Sequence, residues 1–307
     1  MKRFFVSILI VLGFLLVISL PVDYAFSNYL AQSKSRKYVG WNDIISGSVN
    51  ADLLVIGSSR AWVQYDTRIM DSVLHVNSYN LGIDGSALNR QMLKYRVYDH
   101  FQEKKAKVVL INMDYASAIG NRIGYEREQF FPYLWNRFNR QEMRKVEPFS
   151  FGELYLPMYR YFISGAYSSY MEVSADTNLY KGYEGQNMKW NGKKFSEMKC
   201  FHFERMENIE SEFGLFLKQL KEQGIEVVFV CAPIYSGLTA IVDNLPEFYE
   251  TIQAYSEKYQ IPVLDYTYDS LSYDTLYFYN ATHLNKTGAK LFTTKLCQDL
   301  DSLLLFP

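Results

Sequence analysis

Five short and almost continuously apolar runs constrain the fold of this chain more than any other feature. They occupy residues 52–56, 76–81, 107–113, 226–231 and 262–266. Runs of this length without polar alternation are typical of strands that are covered on both faces of a parallel sheet. Helix-like stretches follow them at residues 88–103, 208–223, 246–259 and 287–304. The alternation predicts an α/β fold with a three-layer, doubly wound, mostly parallel five-stranded sheet.

An apolar stretch lies at the N-terminus, directly after Lys2 and Arg3. Residues 4–20 are long enough to cross a bilayer with little tilt, and the two basic residues before them favour a cytoplasmic N-terminus. We therefore predict a single-pass membrane anchor over residues 1–22, with the rest of the chain in the periplasm or at the cell surface. A cleaved signal peptide is the alternative, although the apolar core is longer than is usual for one and no small-x-small cleavage site follows it.

The remainder of the chain is long enough for one large domain. We predict a linker or stalk over residues 23–48 and a domain over residues 49–307, and the sequence leaves open whether the linker packs onto that domain. An insertion at about residues 116–205 is too long for a single crossover between two strands.

Aromatic residues are concentrated in this insertion. Two interpretations stay open: the rings form a small core of their own, or they form a cap that offers Tyr and Trp faces to sugar rings or acyl chains. The residues concerned are Phe130, Phe131, Tyr133, Trp135, Tyr155, Tyr159, Tyr161, Phe162, Tyr167, Tyr170, Tyr180, Tyr183 and Trp190.

Composition argues against several classes of function. The formal net charge is −1 and no basic block follows the anchor, which disfavours a nucleic-acid partner. His75, His100 and His202 lack the spacing of metal ligands, and no dinucleotide or P-loop motif is present. The sequence therefore implies neither a metal nor another cofactor.

Two turns carry candidate chemistry. Ser59 follows the first predicted strand, and His283 precedes the last predicted helix. Because the carboxyl ends of parallel strands meet at one edge of a doubly wound sheet, the two side chains are able to meet there. A Ser hydroxyl becomes a nucleophile when a neighbouring base takes its proton, and His suits that task near neutral pH. We predict Ser59 as a nucleophile and His283 as its general base.

The second predicted strand ends in a turn that contains glycine, at residues 80–85. The Ser59 backbone N–H and a glycine N–H from this turn are able to bind the oxyanion that develops during acyl transfer.

These segments resemble the motifs of the SGNH (GDSL-like) hydrolase superfamily. Gly57-Ser58-Ser59 aligns with its Gly-Asp-Ser motif, residues 80–85 match its Asn-x-Gly-x-x-Gly block, and residues 280–283 resemble its Asp-x-x-His block. The resemblance covers roughly residues 52–107 and 226–304. It implies an SGNH/flavodoxin-like sheet, an esterase or acyltransferase activity and an oxyanion N–H from Gly85.

The N-terminal anchor adds to the resemblance. An anchor combined with Gly-Ser-Ser is similar to the exported proteins that work beside membrane-bound O-acyltransferases, including the D-alanyl-lipoteichoic acid and alginate acetylation types. This implies a membrane O-acyltransferase as a partner and an acylated glycan of the cell envelope as the substrate.

The third family block departs from the pattern. The family has Gly-x-Asn-Asp, whereas here the strand ends Asn112-Met113-Asp114. Asn112 lies one or two residues too early to supply a third oxyanion donor. Asp114 either contacts a substrate hydroxyl or caps the next segment, and Arg60 either contacts an anionic substrate or forms a structural ion pair.

The last block also departs, because Asn280 stands where the family has Asp. Three alternatives stay open. Asn280 orients His283 through its carbonyl, or the role of the Asp is met without Asn280, by another acid such as Asp84, Asp269 or Asp274 or by a Ser-His dyad. In the third alternative, the site binds acyl groups without hydrolysing them. Asp84 is also a candidate substrate contact. The sequence thus predicts an extracytoplasmic Ser-His esterase or acyltransferase, and the alternative is an inactive SGNH-like domain that binds glycan or assists an O-acyltransferase.

Overall fold

The computed structural model describes residues 1–115, 124–164, 179–192, 202 and 207–305. Contacts divide the chain into two compact units. The helical unit contains Met1–Ile45 and Ile123–Asp176, and the sheet unit contains Ser46–Arg122 and Thr177–Pro307.

A parallel sheet is the centre of the sheet unit. Its strands run in the order β2-β1-β3-β6-β7, and every neighbouring pair is parallel. The five strands coincide with the five apolar runs, so the predicted fold class is confirmed. In chain order the strands are β1 (Leu53–Ile56), β2 (Ser78–Asn80), β3 (Val108–Asn112), β4 (Leu179–Tyr180), β5 (Tyr183–Glu184), β6 (Glu226–Cys231), β7 (Val263–Asp265), β8 (Phe278–Asn280) and β9 (His283–Leu284).

Helices cover the sheet and form the other unit. Those of the described chain are α1 (Lys2–Leu30), α2 (Arg36–Ile45), α3 (Ser59–Gln64), α4 (Thr67–Leu74), α5 (Leu88–Phe101), α6 (Arg137–Val146), α7 (Phe151–Tyr155), α8 (Tyr159–Ile163), α9 (Glu207–Glu222), α10 (Ser236–Thr239), α11 (Leu245–Tyr259) and α12 (Lys286–Ser302). Three short 3₁₀ segments add Arg127–Tyr133, Ser270–Tyr273 and Thr275–Tyr277.

The predicted helices α5, α9, α11 and α12 are present, but the pair α3 and α4 between β1 and β2 was not predicted. The two helices are only 6 and 8 residues long, so each offers at most about two turns of sequence pattern. Each begins at a polar cap, because Ser58 accepts from the N–H of Arg60 and Asp66 accepts from the N–H of Arg68.

One apolar cluster fixes α3, α4 and α12 against the sheet. It combines the inward side chains of β1, β3 and β6 with Phe292, Leu296 and Leu300 of α12, all of which are buried. Full burial of such a side chain contributes roughly 1.5–3 kcal/mol. This packing holds the start of α12, and with it β9, beside α3.

Helix α1 extends past the predicted end of the anchor. Pro21 lies within it and removes one backbone hydrogen bond, yet the helix continues to Leu30. Asp23, Ser27 and Leu30 are buried in the helical unit, which holds the helix beyond the proline. The boundary predicted at residue 22 is therefore not a helix end, and much of the predicted linker at residues 23–48 is helical.

A buried ion pair connects α1 to α8. The Asp23 carboxylate pairs with Arg160, accepts from Trp135 Nε1 at 2.8 Å and accepts from the backbone N–H of Met158. One α1 turn further, Ser27 Oγ lies 2.8 Å from the Tyr161 hydroxyl. These contacts join the N-terminal helix to the insertion.

The predicted insertion at residues 116–205 is divided between the two units. Residues 124–164 belong to the helical unit, where Phe130, Phe131 and Tyr161 are buried and Trp41 of α2 donates to Gln129 at 2.9 Å. Residues 179–192 belong to the sheet unit, where Tyr183 joins the core. Tyr167 and Tyr170 lie outside the described residues.

Helix α1 is also the one helix of the described residues that is long and apolar enough to cross a membrane. Residues 2–18 of this helix are exposed wherever their side chains are described.

The Asp23 contact gives a test of the helical unit. Asp23→Ala leaves the Arg160 charge buried without its carboxylate, so we expect the free energy of unfolding of this unit to fall by about 3–5 kcal/mol. Limited proteolysis of the full chain in detergent, followed across a urea series, measures the loss within residues 124–164. The double variant Asp23→Leu with Arg160→Met leaves no buried charge and should lose less. Equal resistance of Asp23→Ala and the unaltered protein contradicts the role given to the pair.

Candidate active site

Ser59 stands at the first position of α3, directly after β1. Ser58 caps this helix: its hydroxyl accepts from the N–H of Arg60 at 3.4 Å. A Cβ at Gly57 would lie 2.6 Å from Ala61 Cβ and 2.9 Å from Asn112 Cβ, closer than real Cβ atoms approach. Only glycine therefore permits this sharp turn, which leaves the Ser59 side chain partly exposed.

His283 begins β9, and it is paired with Asn280 of β8 in a short antiparallel hairpin. Asn285 fixes the hairpin to the next helix. Its carbonyl oxygen accepts from the N–H groups of Thr287 and Gly288 at 3.1 and 3.0 Å, and its amide donates to the Leu276 carbonyl at 2.7 Å. The His283 ring stacks on Tyr279, with ring centroids 5.2 Å apart.

The structure brings the predicted nucleophile and base together. His283 Nε2 lies 2.7 Å from Ser59 Oγ, and His283 Nδ1 lies 2.9 Å from Asn280 Oδ1. Ser59 and His283 come from opposite ends of the sheet unit's sequence. The α3–α12 packing places them at one edge.

Backbone donors fix which atom of Asn280 faces the ring. The N–H groups of Thr282 and His283 both lie 3.0 Å from Asn280 Oδ1 and donate to it. An amide nitrogen at that position would oppose two donors, so the atom must be the oxygen. We assign a proton to His283 Nδ1, because an unprotonated Nδ1 would face the Asn280 oxygen acceptor to acceptor at 2.9 Å. Nε2 is left unprotonated and accepts from the Ser59 hydroxyl.

The Thr282 hydroxyl adds a second oxygen beside Nδ1. Thr282 Oγ1 donates to Asn280 Oδ1 at 2.9 Å and lies 2.7 Å from His283 Nδ1. Because its proton points to Asn280, its lone pairs are available to accept from Nδ1. Two neutral oxygens thus stand where the motif resemblance implies one carboxylate.

His283 is a weak base in this setting. Burial, followed by the nearby positive charge of Arg60, lowers its pKa from 6.5 to about 4, and the negative charge of Asp114 opposes that shift. The ring is therefore neutral at physiological pH, and the amide of Asn280 offers no charge to stabilise its cation.

A buried network supports the Ser59 turn from below. Ser58 Oγ donates to Asp114 Oδ2 at 2.7 Å, and Asn112 Nδ2 donates to the same oxygen at 3.2 Å. The Tyr65 hydroxyl donates to Asn112 Oδ1 at 2.7 Å. Asp114, predicted as a cap or a substrate contact, is buried and holds Ser58, while the Asn112 amide is engaged inside the fold.

The turn at residues 80–85 lies along β1 beside Gly57. Leu81 donates to the Val55 carbonyl at 2.8 Å, and Ile83 donates to the Gly57 carbonyl at 3.1 Å. Gly85 has a positive φ of 57°. These bonds hold the glycine-bearing loop next to the residue before Ser58.

The remaining predicted residues have other positions. Arg60 is buried and donates to the backbone carbonyls of Ala232 and Pro233 after β6, the latter at 3.5 Å. Asp84 is partly exposed in the glycine-bearing loop. Asp269 and Asp274 cap 3₁₀ segments, and the described contacts of His283 Nδ1 are with Asn280 and Thr282.

Sequence reasoning missed several side chains at this site. Thr282 and Tyr279 contact His283, and both lie in the same short segment as Asn280. Their closeness to His283 in the sequence was the available signal that they belong to the site. Tyr235 was not singled out either, whereas Trp190 was already among the aromatic residues of the predicted insertion. Trp190 donates its backbone N–H to the Phe278 carbonyl at 2.9 Å, and its ring lies 5.0 Å from that of Tyr235. No local pattern connects Trp190 to β8, because the contact is long-range.

No group of His, Cys, Asp or Glu side chains able to hold a metal ion occurs among the residues that the structure describes.

Comparisons with known proteins add structural likenesses. No protein-family model and no curated protein matches the sequence. A candidate acylhydrolase from Bacteroides fragilis is 13% identical with a TM-score of 0.43, and the match covers 82% of this chain and 87% of that one. A GDSL-like lipase from Bacteroides thetaiotaomicron is also 13% identical with a TM-score of 0.42, and the match covers 91% of this chain and 99% of that one. Neither likeness assigns a role to a residue of this chain.

The lowered basicity of His283 is measurable. NMR titration of its imidazole should give a pKa near 4 in the unaltered protein. Asn280→Asp should raise this pKa, because a carboxylate beside Nδ1 stabilises the cation.

The pH dependence of folding stability also depends on the pKa of His283. The unfolded chain binds a proton at His283 near pH 6.5, so the free energy of unfolding should fall as the pH drops from 6.5 towards 4, and should fall less in Asn280→Asp. A pKa of 6.5 in the unaltered folded protein contradicts the burial and contacts described above.

Proposed function

We propose that this protein cleaves or transfers a small acyl ester, with Ser59 as nucleophile and His283 as general base. The observation that carries the proposal is the 2.7 Å contact from Ser59 Oγ to a His283 nitrogen whose unprotonated state follows from the Asn280 hydrogen bonds. Acyl transfer by a Ser requires a nucleophile that is hydrogen-bonded to a base, and a base that is hydrogen-bonded to an orienting group. Ser59, His283 and Asn280 are connected in this way.

The reaction has two halves. Ser59 Oγ attacks the acyl carbonyl while its proton passes to His283 Nε2, and the imidazolium then gives that proton to the departing alkoxide. The acyl group is left on Ser59. A water molecule or the hydroxyl of an acceptor next gives its proton to His283 and attacks the acyl carbon. His283 then returns this proton to Ser59 Oγ as the bond between Oγ and the acyl carbon breaks, which restores the free Ser59 hydroxyl.

The oxyanion of each half needs hydrogen-bond donors. The Ser59 N–H stands at the start of α3, and Gly85 lies in the loop that is bonded to Gly57. We assign these two N–H groups to the oxyanion. The Asn112 amide is not assigned, because it donates to Asp114. A missing third donor lowers turnover by a factor of about 10²–10³.

Asn280 acts as the orienting group of His283 in this proposal. An amide in place of a triad carboxylate costs about 10⁴-fold in a serine protease because it imposes the wrong tautomer. Here the Thr282 and His283 N–H groups keep the oxygen of Asn280 towards Nδ1, so the useful tautomer is retained. The loss is then limited to charge stabilisation of the imidazolium. Slow turnover of activated or abundant esters is the expected consequence.

The substrate proposal rests on α1. A helix apolar enough to cross a membrane, preceded by Lys2 and Arg3, supports a membrane anchor with the sheet unit outside the cytoplasm. A tethered esterase of that kind acts on material near the membrane, and Trp190 and Tyr235 beside β8 provide aromatic faces close to the hairpin. An acylated cell-envelope glycan is the proposed substrate, and a membrane-bound O-acyltransferase is the proposed partner.

A fluorophosphonate probe tests the proposal, because it labels a Ser that is activated as a nucleophile. The folded full chain should gain one probe mass on Ser59 and should hydrolyse p-nitrophenyl acetate. Ser59→Ala should abolish labelling and lower hydrolysis by at least about 10³-fold.

Ser302→Ala is the matched control, because Ser302 lies in the last turn of α12 and its hydroxyl donates to the Asp299 carbonyl of its own helix at 2.6 Å. This variant should label and hydrolyse like the unaltered protein. Folded protein that neither labels nor exceeds Ser59→Ala in hydrolysis contradicts catalysis and favours the alternative of a glycan-binding or assembly domain.

A further inference from the structure

A cavity of about 170 Å³ lies within the helical unit, where α1 meets the segment that contains α6 and α7. Leu20 and Asp23 of α1 line one side, and Trp135, Arg140 and Tyr155 line the other. One water molecule needs about 10–15 Å³ measured in this way, so the cavity has room for several groups of that size. Its walls combine apolar side chains with two arginines and one aspartate.

The charge of this cavity is positive. Asp23, Arg140 and Arg160 line it, and the Asp23 carboxylate is already paired with Arg160. Arg140 has no carboxylate within ion-pair distance among the described residues, and its guanidinium lies 5.9 Å from the centroid of the Tyr155 ring. An unneutralised guanidinium beside an aromatic ring favours an anion that accepts several N–H bonds, such as a phosphate.

The neighbouring carboxylates are engaged elsewhere. Glu147 and Glu153 both pair with Arg127, at 3.4 and 3.0 Å, and Glu142 pairs with Lys145. The single positive charge of Arg140 is therefore not cancelled by these acids of its own segment.

The depth of the cavity along α1 is the second observation. Residues 4–20 form a helix of about 26 Å at 1.5 Å per residue, close to the hydrocarbon thickness of a bilayer of about 30 Å. The cavity begins at Leu20, the last residue of that stretch, and Asp23 is the first fully buried residue after it. A bilayer that contains residues 4–20 has its headgroup region at this level.

The rim of the cavity fits that depth. Trp135, Tyr155 and Leu156 are about 40–50% exposed although they are large and apolar. Trp135 also packs edge-on against Tyr24 of α1, with ring centroids 5.6 Å apart. Trp and Tyr side chains favour the membrane–water interface, where one part of the ring is in lipid and the polar atom is in water.

We propose that this cavity binds the phosphate headgroup of an anionic phospholipid from the bilayer that holds α1. Arg140 binds the phosphate, and Leu20, Tyr155 and Leu156 contact the glycerol and the first acyl carbons. The lipid fastens the helical unit to the membrane surface in addition to the anchor. This inference rests on the membrane placement in the proposed function, but it requires no catalysis.

Native mass spectrometry of the delipidated full chain in detergent tests the site, with phosphatidylglycerol as the probe. The unaltered protein should bind one phosphatidylglycerol, and Arg140→Gln should weaken that binding at least about tenfold, because a charge-assisted bond is lost. Arg137→Gln is the control, since Arg137 is an exposed arginine of the same helix that does not line the cavity. It should bind like the unaltered protein.

Two further arms keep the test decisive. Leu156→Glu should also weaken binding, because its carboxylate opposes the phosphate, and it serves if Arg140→Gln does not fold. Diacylglycerol, which lacks the phosphate, and glycerophosphoglycerol, which lacks the chains, should both bind at least about tenfold more weakly than phosphatidylglycerol.

Equal binding by Arg140→Gln and Arg137→Gln overturns the proposal, as does equal binding of diacylglycerol. Equal binding of glycerophosphoglycerol overturns the membrane lipid as the source of the phosphate. Flotation of the full chain with vesicles tests the anchor separately, and fluorophosphonate labelling tests catalysis separately.

Discussion

The hydrogen bond between Ser59 and His283 depends on a parallel sheet whose first strand and last helix meet at one edge. Nothing local in the chain brings these residues together. The apolar contacts of α12 with α3 and the sheet set the distance, and Gly57 allows the turn that raises Ser59 above β1. Without that packing the Ser59 hydroxyl would have no base beside it to take its proton, and it would not be activated as a nucleophile.

The backbone around Asn280 replaces one of the two functions of a triad carboxylate, which is to orient the imidazole. Two N–H groups determine the orientation of its amide, which in turn determines the tautomer of His283. They supply no negative charge, and burial makes the imidazolium costly. The same site is thus well oriented and weakly basic. That combination separates positioning from electrostatic stabilisation, two effects that a carboxylate usually provides together.

The five strands were predictable because buried parallel strands are short, apolar and bounded by turns. The turns that carry Ser59 and His283 were predictable from their positions, one directly after a strand and the other directly before a helix. The Ser58–Asp114 contact was not, because it joins two strand ends that are distant in the sequence. The apolar first part of helix α1 was predictable. Its continuation past Pro21 to Leu30 was not, because it depends on the burial of Asp23 against Arg160, which lies in a separate part of the chain.

The structure of a phosphonate adduct of the full chain would show whether Ser59 is the nucleophile and which groups bind the oxyanion. We expect phosphorus bonded to Ser59 Oγ, with one phosphoryl oxygen about 2.7–3.1 Å from the N–H nitrogens of both Ser59 and Gly85. His283 Nε2 should face the position of the leaving group. An adduct on another residue would contradict the role of Ser59, and a phosphoryl oxygen turned away from both N–H groups would contradict the assigned oxyanion donors.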